Sequence, residues 1–271
     1  MSNTRYANFV LENRLKDQLE TRMNLLNYAT VNTALTAEAG MTVKVNTYTA
    51  TGAAQVVAEG AGNTQSIEMS YTQLPYTVQT TQARFIYTDE DQMVDPFLVD
   101  GGIKNLSVAL TNAVNNAIIA ELMDNTVQRV NYTTTPSFDN FADAIALIEI
   151  DDSPAGAEDV SGQMFALCNR KMRGVLQKAL KDDLKYVEAF IRTGYIGTIA
   201  GVNLYVCDDI DDDTVIIATR EAVTYFRKKG VETEQDRDQN TRTNTIYGRL
   251  VGFAALTDAK KAVVIAKSTT H

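Results

Sequence analysis

The feature that most constrains the fold is a long strand-like stretch, residues 42–88, with a glycine-rich centre. "TVKVNTYT" alternates apolar or β-branched residues with polar ones, and "SIEMSYTQLPYTVQTTQARFIYT" resumes this pattern after the interruption. Between them, residues 50–66 contain Gly52, Gly60 and Gly62 and few large apolar side chains. The pattern predicts a two-stranded excursion with an exposed tip. Because an isolated hairpin is only marginally stable in water, we expect another chain to pack against it.

The residues before this stretch predict an amphipathic helix. Within residues 9–28, apolar side chains recur every four positions among charged ones, which is typical of a helix with one apolar face. Such a helix packs into a core or docks onto a neighbouring subunit. The apolar positions are Leu11, Leu15, Leu19 and Met23.

The residues after the excursion predict the longest helix of the chain. Apolar residues recur at helical spacing from Ile103 to Asp124, which corresponds to about 33 Å of helix. Asp95, before a proline, and Asp100, before a glycine pair, are candidate N-caps. The remaining sequence indicates short helices and strands in alternation: helix 138–150, strand 164–169, a basic helix 170–180, strands 201–209 and 214–218, a short segment 220–229, and strands 230–235, 243–256 and 261–267.

The charge balance argues against a dedicated nucleic-acid binder. The chain has 25 Lys and Arg against 34 Asp and Glu, a net charge of -9 at pH 7. Tight binding to phosphates requires a basic face that releases counterions. We therefore expect double-stranded DNA to be at most a weak, non-specific neighbour of this protein.

The sequence also lacks residues and motifs that the common catalytic mechanisms require. The single histidine is His271, at the end of the chain, so no histidine base or His-ligated metal centre is expected. Neither the phosphate-binding GxxxxGK[ST] nor the dinucleotide-binding GxGxxG is present. We expect no enzymatic activity and no cofactor or metal. A carboxylate- or metal-dependent enzyme remains an alternative, because acidic side chains are plentiful.

One acidic run partly matches the sequence pattern of a calcium-binding loop. In "CDDIDDDT", Asp209, Asp211 and Asp213 have the alternate spacing that starts such a loop. Thr214 occupies the position of the turn glycine, and Arg220 occupies the position of the bidentate glutamate. The run is therefore interpreted as a solvated turn between strands.

The sequence predicts a soluble chain that folds in a reducing cytosol. The residues near Met1 are polar and charged, and the longest aliphatic runs, such as residues 262–266, are too short to span a bilayer. Cys168 and Cys207 are too few for a disulfide framework and are expected to be small apolar core residues. We expect no membrane partner.

The order of these elements is specific when taken together with three quoted segments. The predicted order is an N-terminal arm, a long glycine-tipped excursion, one long helix, an inserted α/β region and closing strands. The three segments are "GYIGTIAGVNLYVCDDI", "EAVTYFRKKGVETEQDRDQNTRTNTIYGRLVGFAAL" and "KKAVVIAK". Nearly the whole chain thereby resembles the major capsid proteins of tailed bacteriophages, whose α+β fold is the Hong Kong 97 type.

The resemblance implies a division of the chain into the regions of that fold. These are an N-terminal arm (1–35), an extended β-hairpin loop (36–88), a peripheral domain with a long spine helix (89–131), an axial domain (132–218) and closing strands of the peripheral domain (219–271). In this family the extended loop lies across the adjacent subunit, which explains a hairpin that is unstable alone.

Two departures from the family refine these expectations. Some relatives carry an internal scaffolding domain before the arm, whereas Met1 leads directly into it here, so any scaffolding is expected from a separate protein. In the family prototype, a lysine of the extended loop is joined covalently to an asparagine of another subunit. No lysine lies between Asn46 and Ser70, and Lys44 is at the base of the loop. We therefore expect a shell without isopeptide links.

The function implied is that of a structural protein. Copies of the chain are expected to assemble as hexamers and pentamers into an icosahedral shell around double-stranded DNA, with a separate scaffolding protein and a portal as partners. Assembly is expected in the host bacterial cytoplasm, and the product is the capsid of the virion. An encapsulin-like protein nanocompartment, with the same fold, is the alternative.

Three surfaces are predicted to contact neighbouring subunits: the arm, the tip of the extended loop and a polar turn near the C-terminus. The turn, "DRDQNTR", mixes acids and bases that are suited to pairing with copies of the same chain. The predicted contact residues are Leu15, Leu19, Gly52, Glu59, Gly60, Gly62, Asp236, Arg237, Asp238 and Arg242.

Overall fold

The computed structural model describes residues 25–37, 40–51, 54–148, 164–179 and 197–268. The chain forms two compact units, each assembled from separate segments of sequence. The first combines the described part of Met1–Val43 with Tyr76–Ile118 and Thr224–Ala255. The second combines the described parts of Lys44–Pro75, Ile119–Val223 and Leu256–His271.

Within the described residues the chain forms four α-helices and twelve strands. The helices are α1 (Asp89–Val94), α2 (Leu98–Leu122), α3 (Phe138–Leu147) and α4 (Arg170–Ala179). The strands are β1 (Thr30–Asn32), β2 (Thr42–Thr51), β3 (Glu68–Thr77), β4 (Gln79–Thr88), β5 (Gln128–Tyr132), β6 (Met164–Cys168), β7 (Thr198–Ile199), β8 (Val202–Val206), β9 (Thr214–Thr219), β10 (Val223–Asp238), β11 (Thr243–Leu256) and β12 (Ala262–Lys267). None of the helices in these ranges is long and apolar enough to cross a bilayer.

The first unit contains a four-stranded sheet in the order β1-β10-β11-β4. β10 and β11 are its two central strands, and residues 239–242 form the turn between them. Residues 243–252 of β11 run antiparallel to the whole of β4, while β1 pairs in parallel with the start of β10. The sequence predicted a short segment followed by a separate strand over residues 220–235. The structure instead has one strand of sixteen residues there, which pairs with β11, whereas its pairing with β1 covers Thr224–Phe226.

Helix α2 packs on one face of this sheet. Side chains alternate between the two faces of a strand, so every second residue of β4 (Ala83, Phe85 and Tyr87) is directed at the helix. The helix meets them with an apolar row spaced by three and four residues, as one helical face requires. That row consists of Val99, Ile103, Leu106 and Leu110, all buried.

The long helix begins before the residue that its apolar pattern indicated. It starts at Leu98 rather than at Ile103, so Gly101 and Gly102 lie inside it. A Cβ placed on Gly102 would come within 2.3 Å of the Phe85 ring. Glycine is therefore present at this position because the strand and the helix approach closely, and it does not mark a break before the helix.

The second unit is built on a six-stranded sheet in the order β5-β12-β9-β6-β8-β7. All residues of β6 and β9 are buried, which explains their continuous apolar sequence. Helices α3 and α4 contribute buried side chains to the same core, namely Phe141, Ala144, Met172 and Leu176. The predicted alternation of short strands and helices in this region is confirmed.

The predicted excursion is confirmed as a separate two-stranded sheet of β2 and β3. Nine of the ten residues of β3 are exposed, and Tyr76 is partly buried. The strand was expected to continue to residue 88, but the chain leaves the hairpin at Val78, whose N–H bonds to the carbonyl of Met41 at 2.7 Å. β4 then joins the four-stranded sheet. β4 is therefore not part of the hairpin, and β2 and β3 form a two-stranded sheet within the described residues.

A matched pair of substitutions in α2 tests the packing of that helix. Gly102→Ala should lower the free energy of unfolding by about 1–3 kcal/mol, because the new methyl group overlaps the Phe85 ring. Gly101→Ala, at the preceding position, meets nothing within 4 Å and should be neutral or raise stability by up to about 1 kcal/mol through helix propensity. Urea denaturation of unassembled subunits measures both, and equal effects would contradict this account.

Candidate subunit-contact surfaces

The tip of the hairpin is an exposed loop that closes on itself. Residues 54–67 contain no helix or strand and are exposed throughout. The side-chain oxygen of Gln55 accepts hydrogen bonds from the backbone N–H (3.0 Å) and the hydroxyl (3.2 Å) of Thr64. Gly60 adopts a φ of +82°, which a residue with a side chain rarely tolerates. Three of the predicted contact residues lie on this loop: Glu59, Gly60 and Gly62.

One face of β3 carries large apolar side chains into solvent. Met69 and Tyr71 point to the same side of the strand, and Ile67 precedes them in the same alternation. Their exposed fractions are 66% for Ile67, 67% for Met69 and 66% for Tyr71. These three residues are called the apolar stripe below. The contacts predicted on the excursion lie at its glycine tip and do not include this stripe, although the alternating pattern of the stripe is visible in the sequence.

The predicted charged turn is bound within its own chain. The guanidinium of Arg237 pairs with the carboxylate of Asp89 at 2.7 Å, and the side-chain amide of Asn244 donates to the other oxygen of Asp89, also at 2.7 Å. Asn244 is buried, so Asp89 satisfies a donor that would otherwise have lost its hydrogen bond to water. Asp89, Arg237 and Asn244 thus tie the β10–β11 hairpin to the start of α1.

Two further charged residues of the turn, Arg242 and Asp238, also bind partners within their own chain. Arg242, with a φ of 53°, pairs with Glu90 at 2.8 Å, and its carbonyl accepts the backbone N–H of Asp89 at 3.1 Å. The carboxylate of Asp238 accepts the hydroxyl of Thr241 and the N–H of residue 240, and these bonds lower the pKa of Asp238. These contacts hold the turn in one conformation.

Helix α1 starts with a capping box. The hydroxyl of Thr88 accepts the N–H of Asp91, and the carboxylate of Asp91 accepts the N–H of Thr88. The hydroxyl of Thr88 also donates to Asp91 at 2.7 Å, and this bond lowers the pKa of Asp91. Of the two expected N-caps for the long helix, Asp100 was wrong, because it lies inside α2. The side chain of Asp95 accepts the N–H of Phe97 just before that helix begins, as an N-cap side chain does.

The ten predicted contact residues therefore fall into three groups. Leu15, Leu19 and Gly52 lie outside the described residues, and the tip residues are exposed. In the turn, Arg237, Asp238 and Arg242 have partners in their own chain, whereas Asp236 has none among the described residues. Their role in contacts between subunits remains a prediction. Reversing both arginines would also break intrachain ion pairs, so it does not isolate such a contact.

The acidic run that resembled a calcium loop binds side chains at the start of α4 instead. Asp212 accepts hydrogen bonds from the side chains of Asn169 and Lys171, both at 2.6 Å, and Arg170 pairs with Asp208 at 2.9 Å. The hydrogen bond from Lys171 lowers the pKa of Asp212. Over the described ranges, no three His, Cys, Asp or Glu side chains are grouped to hold a metal ion. The run anchors the start of α4.

Both cysteines are core residues, as predicted. Cys168 and Cys207 are buried, and the N–H of Cys207 bonds to the carbonyl of Cys168 at 2.8 Å. Burial raises the pKa of Cys168 to about 11 and also raises that of Cys207. Neither thiol is therefore activated as a nucleophile at neutral pH.

Known phage and capsid proteins are similar to this chain, in sequence or in fold, over almost its entire length. The sequence is 24% identical to the major capsid protein of Staphylococcus phage phiMR11, over 96% of this chain and 93% of that protein. The fold is similar to the capsid of a native GTA particle (TM-score 0.69, 10% identity, 99% of this chain and 93% of the other) and to Gordonia phage Cozz (TM-score 0.67, 13% identity, 91% and 86%). The chain matches no protein-family model.

These similarities confirm the fold expected from the sequence. The chain has the α+β Hong Kong 97 type capsid fold, and its resemblance to phage major capsid proteins is borne out. The described elements that carried the resemblance are the extended hairpin, the long helix α2 and the quoted segments that form β8, β10, β11 and β12.

Removing Asp89 tests whether the charged turn is a structural element of one subunit. Asp89→Ala should lower the free energy of unfolding by about 1–3 kcal/mol, because the buried Asn244 amide loses its acceptor. The control, Asp236→Ala, removes an exposed carboxylate and should change it by less than about 0.5 kcal/mol. Urea denaturation of unassembled subunits measures both. An Asp89→Ala variant as stable as the control would show that the turn does not depend on this residue.

Proposed function

We propose that the chain is the major capsid protein of a tailed bacteriophage, and that copies of it assemble into a closed icosahedral shell around double-stranded DNA. The observation that carries this proposal is the similarity to a phage major capsid protein over 96% of the chain. That relative favours a phage shell over an encapsulin-like compartment.

The exposed hairpin supports a protein that functions only as an assembly. β2 and β3 form a sheet by themselves, and the apolar stripe of β3 is solvated in one subunit. An isolated hairpin is marginally stable, and exposed apolar patches of this kind mark contacts with other chains. A shell repeats one such contact many times, so each copy of it can be weak.

The proposal assigns the chain a structural rather than an enzymatic role, in the capsid of the virion. Its partners are copies of itself, arranged as hexamers and pentamers, with a separate scaffolding protein and a portal. The net charge of -9 is suited to a wall that encloses DNA without holding its phosphates tightly. Assembly would take place in the cytoplasm of the host bacterium.

The domain boundaries of the family are part of the same proposal. The arm (1–35), the extended loop (36–88), the peripheral domain (89–131 and 219–271) and the axial domain (132–218) each have a place in such a shell. The exposed tip residues Glu59, Gly60 and Gly62 are proposed to lie against a neighbouring subunit.

Electron microscopy of the recombinant chain tests the proposal directly. The protein should form closed shells, alone or with a co-expressed scaffolding protein, and particles from infected cells should protect DNA from nuclease. Particles that contain a protein cargo and no DNA would support the encapsulin-like alternative. An isolated monomer under all assembly conditions, with turnover of a substrate, would contradict a shell protein.

The lysine-free loop leads to a separate prediction about how the shell is held together. Because no lysine lies between Asn46 and Ser70, assembled particles should dissociate into single chains on a denaturing gel. Disulfides are not expected to alter this result, since both cysteines are buried in the core. Covalent ladders that persist in the presence of reductant would show that another lysine forms the isopeptide link.

A further inference from the structure

We propose that Met69 is an oxidation site through which a peroxide controls assembly. The thioether of Met69 is converted to its sulfoxide in the free subunit, and the oxidised subunit is then excluded from the shell. This inference rests on the proposed function, under which a neighbouring copy of the chain covers the apolar stripe. It adds a reversible covalent change that the subunit undergoes before that contact forms.

Exposure divides the methionines that the structure describes into two groups. Met69 is 67% exposed, Met93 73% and Met41 50%. Met164 and Met172 are buried in the core of the second unit. Because the oxidant has to reach the sulfur atom, exposed thioethers react before buried ones. The two core methionines should therefore stay reduced in a folded subunit, and they serve as internal standards for the exposed ones.

The reaction is the transfer of one oxygen atom from hydrogen peroxide to the sulfur of Met69. The O–O bond breaks and an S–O bond forms, so the sulfur loses two electrons and the peroxide is reduced to water. Methionine sulfoxide reductases reverse the step. In the reversal, two thiols supply the electrons, and the products are the thioether, a disulfide and water. The assembly competence of the subunit can therefore be lost and regained without new synthesis.

The position of Met69 makes its sulfoxide unsuited to a contact between subunits. Ile67 and Tyr71 lie two residues to either side of Met69 in the alternation of the strand, and each is 66% exposed. The thioether is therefore at the centre of the apolar stripe. Oxidation replaces a flexible apolar group with a polar one. Covering the new oxygen removes it from water, which costs free energy unless a hydrogen-bond donor meets it.

A shell amplifies this cost because it repeats the contact in every subunit. Losing the burial of one methionine side chain weakens a single contact by about tenfold or more. Since each copy in a closed assembly depends on several weak contacts at once, the loss is not diluted by the others. The subunit concentration at which shells form should therefore rise by at least about tenfold.

Met93 is the comparison that the chain itself offers. It is at least as exposed as Met69 and lies on α1, to which the proposed function assigns no contact. Peroxide should reach both sulfur atoms, but the sulfoxide of Met93 stays in water. Oxidation of Met93 should therefore leave the assembly threshold unchanged.

Peroxide treatment of purified, unassembled subunits tests the site. Peptide mass spectrometry should find the sulfoxide at Met69 and Met93 and the thioether at Met164 and Met172. Light scattering and electron microscopy should show that treated subunits form shells only at a concentration at least about tenfold higher. Their midpoint of urea denaturation should not change, which separates a blocked contact from unfolding. Methionine sulfoxide reductase with a dithiol should restore the original threshold.

Met69→Leu and Met93→Leu are matched variants, because leucine is close to methionine in volume and has no sulfur to oxidise. Each variant is compared with its own untreated sample. Peroxide should leave the threshold of Met69→Leu where it was and should raise that of Met93→Leu as in the wild type.

The two proposals fail in different ways. A threshold that rises in Met69→Leu after peroxide, one that stays constant in Met93→Leu, or a Met69 that remains reduced in treated wild-type subunits would overturn the oxidation site and leave the proposed function intact. If untreated wild-type subunits form no shells under any condition, the proposed function fails and the oxidation site fails with it.

Discussion

A two-stranded hairpin cannot bury its own apolar face, and the rest of this structure follows from that constraint. In the part of the chain that the structure describes, β2 and β3 pair only with each other, and Met69 and Tyr71 project from them into water. In a larger sheet these side chains would be covered by a helix or a second sheet, as α2 covers one face of the four-stranded sheet. These side chains are exposed within the described residues, and under the proposed function a neighbouring copy of the chain covers them.

The two compact units supply what such an assembly needs from each copy. In the first, α2 on the four-stranded sheet forms a closely packed body, to the point that Gly102 has no room for a side chain beside Phe85. In the same unit Asp89 joins α1 to the β10–β11 turn through Arg237 and Asn244. The second unit has its own core around β6, β9 and β12. Rigid bodies of this kind can present weak contacts in a fixed geometry, which matters more for a shell than the strength of any one contact.

The sequence was informative wherever one periodicity dominated. Alternation along residues 42–49 and 66–88 predicted the hairpin, which the structure forms from residues 42–51 and 68–77, and the helical spacing after Ile103 predicted the long helix. It was uninformative where a long-range partner decided the outcome. Gly101 and Gly102 resembled a break because the Phe85 ring that explains Gly102 belongs to another element, β4. Arg237 and Arg242 looked available to neighbours because their partners, Asp89 and Glu90, lie about 150 residues away in the chain. Thr88 and Asp91 form a capping box that was not predicted, although both residues lie within four positions of each other in the sequence.

The central claim is that the apolar face of the hairpin is buried by another copy of the chain. A cryo-EM reconstruction of the assembled particle tests it most directly, because it places the hairpin of each subunit relative to its neighbours. The account predicts that Met69 and Tyr71 are covered by a neighbouring subunit at every position of the shell. A closed shell in which these side chains face solvent, or lie against their own subunit, would contradict it.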